Sequence, residues 1–394
     1  NASKTFKTNF PNSKVSEDDI RSMDASTIRE SLGLKPKDLN LLVGGFPCQG
    51  FSTYGQRDTT DERNQLYIDY MRFVEEFRPK RLLIENVVGM LSMNKGEVVR
   101  DICQRLEALG YYCNVQTLQA ADYGVPQLRR RVFIYGYLDN HGISWPNPTH
   151  SAEPATDDSR NIRSTYVSVY DALSDLPTTA LKPKQVHEVL EYPEVNSLSE
   201  YQKKMRNGSD WLHDHSAKQM MSARKLRVIL MKQGDYGSDL ADIDTSQPIA
   251  KSVIAEIVED CGLRRPIHLC RKQDQEKELA LRALFEKADL TYADLVEFIG
   301  SGGFANKYRR LDAQKPSHTL VAHMARDCSD FIHPVENRFI SVREAARLQS
   351  FEDSFKFEGS QFAQLKQIGN AVPPLLGFAV GKAIVETAAN ASPR

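Results

Sequence analysis

The chain has 394 residues, 41% of them hydrophobic and 26% charged, with a net charge of −1, so it can build one large domain or two ordinary ones. No run of about 18 apolar residues marks a membrane span, and NASKTFKTNF lacks the basic-then-apolar pattern of a signal peptide. With so little net charge, any binding of nucleic acid requires positive charge gathered on one face.

From about residue 40 to 138 the pattern alternates. LNLLVGGF (39–46) is a short apolar run ending in glycines, as expected of a buried parallel strand. After the polar loop 52–64, Leu66, Tyr70, Val74 and Phe77 recur every three or four residues, which predicts a helix over 65–77 stopped by Pro79. RLLIENVVG (81–89) reads as a second strand, and GEVVRDICQRLEALG (96–110) as a second helix closed by Gly110. YYCNVQTLQ (111–119) and RRVFIYGYL (130–138) read as two more strands. This succession predicts an α/β domain with a parallel sheet, whose ligands sit at the carboxyl ends of the strands, where GFPCQ and ENV fall. Composition shifts at the Pro- and Ser-rich stretch 144–161. Beyond it, weakly patterned sequence continues to about 305, with helices predicted in SARKLRVILM (222–231) and QEKELALRALFEKADL (275–290). Regular structure returns with KPSHTLVAH, SVREAARLQSF and the apolar helix PPLLGFAVGKAIVETA.

Cys48 follows a strand and a proline. The bare sequence leaves it four roles: buried spectator, half of a disulfide, metal ligand or nucleophile. The six cysteines are scattered without a short paired spacing, which reads as reduced thiols of a cytosolic chain and argues against the disulfide. His318, His323, Cys328 and His333 recur every five residues, which gives no common ligand face, and Cys261, His268 and Cys270 fare no better; no metal site is expected. Glu85 is unusual, because a carboxylate ending an apolar strand is costly without a partner or a task. QLRRR (127–131) alone would be a solvated basic turn, and GNAVPP (369–374) a loop before a helix.

Taken in order, PCQGFS, ENV, DYGVPQLRRR, REAARLQSF and GNAVPP closely resemble the cytosine-5 DNA methyltransferase family, of the bacterial or phage modification type. The resemblance covers about 1–140 and 305–390. It implies a Rossmann-like, S-adenosylmethionine-dependent methyltransferase domain with a smaller target-recognition domain: catalytic residues in 1–145, target recognition in 146–308, and a return to the catalytic domain in 309–394. Cys48 would be the nucleophile that adds to C6 of cytosine, turning C5 into a carbon able to accept a methyl group. Glu85 would hold a proton at N3, and burial suits it to that by raising its pKa. Arg131 would hold O2, with Arg129 supporting the site.

The same resemblance assigns cofactor contacts to Asp19, Ile20, Phe46, Pro47, Leu66, Asn370 and Val372, and DNA contacts to Gln49, Ser52, Gln127 and Thr319. Core packing would leave the same apolar imprint at Ile20, Leu66 and Val372. The target base lies inside double-stranded DNA, so it must be flipped out. Basic clusters in the middle region (KKMR, RKLR and CGLRRP) are candidates for phosphate and guanine contacts, and no base-reading residue is named. The family's glycine-rich cofactor turn, F-x-G-x-G, finds no match. NASKTFKTNFP corresponds to the segment after the second strand, and GSGGFAN (300–306) reads as a loop. The expectation is therefore a missing N-terminal segment or complementing chain, without which this polypeptide is inactive. A bacterial cytoplasmic enzyme, monomeric on DNA and paired with a cognate restriction endonuclease, completes the picture. Two alternatives remain: a tRNA cytosine-5 methyltransferase, and a catalytically incomplete DNA-binding subunit of a split enzyme.

Overall fold

The computed structural model describes residues 1–47, 66–139, 142–156, 162–185, 188–220, 222–242, 249–261, 263, 275–287, 289–299 and 308–391. They group into two compact units. One comprises Asn1–Pro11, which holds helix α1 (Ala2–Asn9), together with Val167–Val372; the other comprises Asn12–Tyr166 and Pro373–Arg394. These borders differ from the sequence boundaries at 145 and 308, because 309–372 groups with residues from Val167 onward. Arg310, for example, donates to the Val228 carbonyl at 2.6 Å, and the Val342 amide donates to that of Ser216 at 3.0 Å.

In the second unit, α2 (Ala25–Ser31) precedes β1 (Leu41–Gly44), α3 (Leu66–Phe77), β2 (Arg81–Val87), α4 (Glu97–Ala108), β3 (Tyr112–Gln119), the two-residue β4 (Gln127–Leu128) and β5 (Arg130–Tyr137). Among the described residues, the main sheet runs β1-β2-β5-β3. Side chains alternate between its faces. Leu82, Ile84, Val132 and Ile134 meet the apolar stripes of α3 (Tyr70, Met71, Val74) and α4 (Ile102, Leu106). Leu83, Phe133 and Tyr135 meet Leu376, Val380, Ala383 and Ile384 of the C-terminal helix, Pro374–Ala391. The result is a helix–sheet–helix sandwich, in which each fully buried aliphatic side chain contributes about 1.5–3 kcal/mol. Helix α4 ends where Gly110 takes φ +81°, the left-handed turn that sends the chain back into β3.

The α/β class holds, but the expectation of a parallel sheet is corrected. β1 and β2 are parallel, whereas β5 runs antiparallel to both β2 and β3. The reason is the connection. Only residues 120–129 separate β3 from β5, and a parallel pair needs a crossover of a dozen residues or more. The expected burial of the first strand is also incomplete, since among the described residues β1 lies at the edge of the sheet and Val43 is 60% exposed.

The first unit is mainly helical. It contains α5 (Val169–Leu173), α6 (Glu200–Arg206), α7 (Ser222–Ile229), α8 (Lys251–Asp260), α9 (Gln275–Phe285), α10 (Tyr292–Ile299), α11 (Val342–Leu348) and α12 (Gln361–Asn370). Leu226, Ile257, Leu281 and Leu295 knit α7 to α10 into one apolar cluster. In α11 every residue is buried, charged ones included. Arg347 grips Asp353 with Nε and Nη2, at 2.7 and 2.6 Å, and reaches Asp175 at 3.1 Å. Arg343 donates to the carbonyls of His213, Glu352 and Phe355 and to Asp214. Burying two guanidiniums is tolerable only because their donors are met in this way.

Candidate active site

The parallel pair β1–β2 creates a strand-end corner in the second unit. There β2 ends in Glu85-Asn86-Val87, and β1 runs out into Gly45-Phe46-Pro47. A Cβ built on Gly45 would lie 3.9 Å from Glu85 Oε2, so this backbone passes directly beside the carboxylate. Asn86 fastens the same segment, its Nδ2 donating to the Phe46 carbonyl at 3.3 Å while its Oδ1 accepts from the Val87 amide. Gly44 is required by close packing: a Cβ there would strike the Tyr70 ring at 2.4 Å, and the Tyr70 hydroxyl donates to the Leu42 carbonyl. Cys48, Gln49 and Ser52 follow immediately and lie outside the described residues.

Glu85 points to the sheet face that also carries Phe133 and Arg131. Arg131 Nε lies 3.0 Å from Glu85 Oε1, both side chains being largely buried. Burial raises the Glu85 carboxyl above its ordinary value, and the charges of Arg131 and Arg129 pull it part of the way back. Burial likewise lowers Arg131, with Glu85 opposing. Arg129 is almost wholly enclosed, and burial together with the like charge of Arg131 lowers it to about 9. The corner thus combines a carboxyl biased toward its neutral form with a guanidinium beside it. Such a pair offers a proton at one point and hydrogen-bond donors at another. Gln127 is also fully enclosed.

Five of the seven residues expected at the cofactor (Asp19, Ile20, Phe46, Pro47 and Leu66) belong to the second unit, whereas Asn370 and Val372 belong to the first. Phe46 is half-buried, with its ring centroid 6.4 Å from that of Tyr67 and 6.1 Å from that of Tyr70. Pro47 is exposed, and Leu66 opens α3 half-buried. Asp19 caps the short 3-10 turn Ile20–Ser22 and is held by Arg21, whose hydrogen bonds lower its carboxyl to about 2. Arg72 of α3 fixes this turn by donating to the carbonyls of Ile20 and Met23 at 2.8 and 3.2 Å. Sequence reasoning missed Arg72 and Asn86 as positioning groups. Asn86 lay within a motif already quoted, whereas Arg72 showed only as a polar position on a predicted helix.

In the first unit, α12 ends at Asn370, which is exposed, and Val372 follows half-buried. Gly369 lets α12 touch the backbone of Val321 and Ala322, close in sequence to the half-buried Thr319. His318 stacks on Phe331 at 4.4 Å, and His333 Nδ1 accepts from the amides of Val335 and Glu336.

A family model described as C-5 cytosine-specific DNA methylase matches residues 1–386. The type II methyltransferase M.AgeI of Thalassovita gelatinovora is 49% identical over 390 residues, which covers 96% of this chain and 90% of the relative. M.DdeI of Desulfomicrobium norvegicum, also a type II methyltransferase, is 33% identical over 394 residues, covering 97% and 80%. A solved structure from Escherichia coli, assigned as a prophage-encoded DNA modification methyltransferase, superposes with a TM-score of 0.64 at 20% identity, covering 98% of this chain and 90% of that one.

Proposed function

The chain belongs to the C-5 cytosine-specific DNA methylases, and from that premise we propose that it methylates C5 of cytosine in a specific duplex sequence through a covalent adduct of Cys48 with C6. The observation that carries this reading is the Glu85–Arg131 pair beside the backbone that leads into Cys48. The Cys48 thiolate adds to C6 of a flipped-out cytosine, and the electron density pushed toward N3 is met by the Glu85 proton. Arg131 donates to O2. Asn86 keeps the approach to Cys48 in register with Glu85. After methylation a water takes the C5 proton, and the ring expels Cys48 to restore its double bond.

S-adenosylmethionine, when bound, supplies the electrophilic methyl group. Ile20, Phe46 and Leu66 are suited to hold it, because they present half-buried apolar and aromatic surface around one end of α3. We propose further that residues 146–308 read the target sequence, and that the enzyme acts as a monomer in the bacterial cytoplasm beside a cognate endonuclease.

Incubating the protein with S-adenosylmethionine and duplex DNA carrying 5-fluorocytosine, with and without a complementing segment that carries the glycine-rich cofactor turn, tests the mechanism. A denaturant-stable protein–DNA complex is expected, and Cys48→Ala should abolish it. A complex that survives in the variant overturns the role of Cys48. Methylation of tRNA rather than duplex DNA overturns the substrate.

A further inference from the structure

Outside the site just described, the fold brings together two groups that the sequence keeps ten residues apart. Cys103 lies in the second half of α4, Cys113 is the second residue of β3, and the turn at Gly110 folds one element back onto the other. Both thiols are free and part-buried, and their sulfurs are 2.7 Å apart. Both pack at the edge of the apolar cluster formed by Ile102, Leu106 and Tyr111, which fixes helix against strand. The remaining gap exceeds the covalent sulfur–sulfur length by about 0.7 Å.

We propose that Cys103 and Cys113 form a dithiol site that reacts with a low-molecular-weight disulfide and closes to an internal disulfide joining α4 to β3. The two thiols differ in character. The contact between the two sulfurs lowers Cys103 against the opposing effect of burial, while Cys113 is raised by the same contact and by burial. Cys103 therefore attacks first. Its thiolate displaces one half of the small disulfide as a thiolate, leaving a mixed disulfide on Cys103. Cys113 then gives up its proton, attacks the Cys103 sulfur and expels the second half, which leaves as a thiol. Two protein thiols and one small disulfide become one protein disulfide and two small thiols.

The clamp lies away from the corner that holds Glu85. Cys113 pairs with Gly136 on β5, whereas Arg131 pairs with Leu118, at the other end of β3. Closure therefore fastens α4 without touching the Glu85–Arg131 pair. Cys261 and Cys328 are buried and should stay reduced.

Oxidised glutathione is the probe, applied to the folded protein and followed by alkylation and tryptic mapping. The expected product is a cross-link between fragments 101–105 and 106–129, formed as one two-electron event and reversed by dithiothreitol. In Cys113→Ser, which lacks the resolving thiol, Cys103 should instead accumulate a stable glutathione adduct. Cys103→Ala serves as the second variant, in which no cross-link forms. The proposal is overturned if the wild-type cysteines carry glutathione separately, if both stay unmodified, or if either pairs elsewhere.

Discussion

Arg131 pairs with a residue it does not face. Its register partner on β2 is Val87, yet its Nε lies 3.0 Å from Oε1 of Glu85, two residues back on the same face of the sheet. Diagonal neighbours on an antiparallel pair lie about 7–8 Å apart, within reach of a long side chain. The antiparallel placement of β5 therefore puts a guanidinium at the strand-end carboxylate. Arg131→Lys keeps the charge but loses the planar fork that can serve Glu85 and a carbonyl oxygen together. We expect kcat/KM to fall on the order of 10²-fold, as when one donor to a developing charge is lost. Steady-state methylation kinetics, with circular dichroism to confirm an unchanged fold, provides the check.

Glu85 should govern a pH limb. Burial raises its carboxyl despite Arg131 and Arg129, and in the proposed mechanism the neutral acid is the form that supports N3. Activity should therefore fall as pH rises through the raised pKa, above the ordinary glutamate value of about 4.3. Glu85→Gln cannot ionise. It should lose that limb and run on the order of 10²–10⁴-fold more slowly. Stability follows the same sign: because the folded pKa is raised, the stabilisation from Glu85 is present at low pH and is lost as pH rises through the folded value. The stability of wild type relative to Glu85→Gln should decline across that window, and a flat difference would contradict the assigned shift.

The sequence showed α3 and α4 through their apolar spacing, and β1, β2, β3 and β5 through apolar runs closed by glycine or polar residues. Strand direction escaped, because periodicity reports which residues face inward and not which way a strand runs; the ten-residue link between β3 and β5 was the missed clue. Glu85 was legible as a costly carboxylate, and its partner Arg131 lay in a motif already singled out. Arg343 and Arg347 were not legible as core residues. A charged helix reads as a solvated face until its acids are seen, and Asp214 and Asp175 lie 129 and 172 residues away. The approach of Cys103 to Cys113 was hidden for a similar reason, since it depends on where one turn folds a helix back over a strand.

Arg347 should be essential to the first unit's stability. It has no exposed side-chain surface and is shared by Asp353 and Asp175, themselves buried. Arg347→Met fits the space but strips Asp353 of both guanidinium hydrogen bonds, leaving it the Tyr192 hydroxyl and the more distant Arg343, and among the described residues leaves Asp175 with Arg206 alone. Removing one member of a buried pair costs about 3–5 kcal/mol. Urea unfolding at neutral pH should show a loss of that size, partly recovered at acid pH, where Asp353, no longer held low by Arg347, takes up a proton. Adding Asp353→Asn should restore part of it at neutral pH.

Gly369 and Gly381 offer a paired test of why GNAVPP contains a glycine. Both lie in helices, so alanine should gain about 0.5–1 kcal/mol at each from backbone entropy alone. At Gly381 nothing lies within 4 Å of the added carbon, and Gly381→Ala should be stabilising. At Gly369 the added carbon would sit 2.4 Å from the Ala322 nitrogen and the Val321 carbonyl carbon. Backbone cannot step aside as a side-chain tip can, so α12 or the 319–322 segment must shift. Overpacking of this kind costs about 1–3 kcal/mol, enough to reverse the sign. Gly369→Ala should also weaken DNA and cofactor binding if Thr319 and Asn370 serve those ligands, because both flank the displaced contact. Denaturation curves for the two variants, with titrations of each ligand, separate the effects: equal shifts in stability would remove the packing explanation, and destabilisation with unchanged affinities would leave Gly369 a purely structural residue.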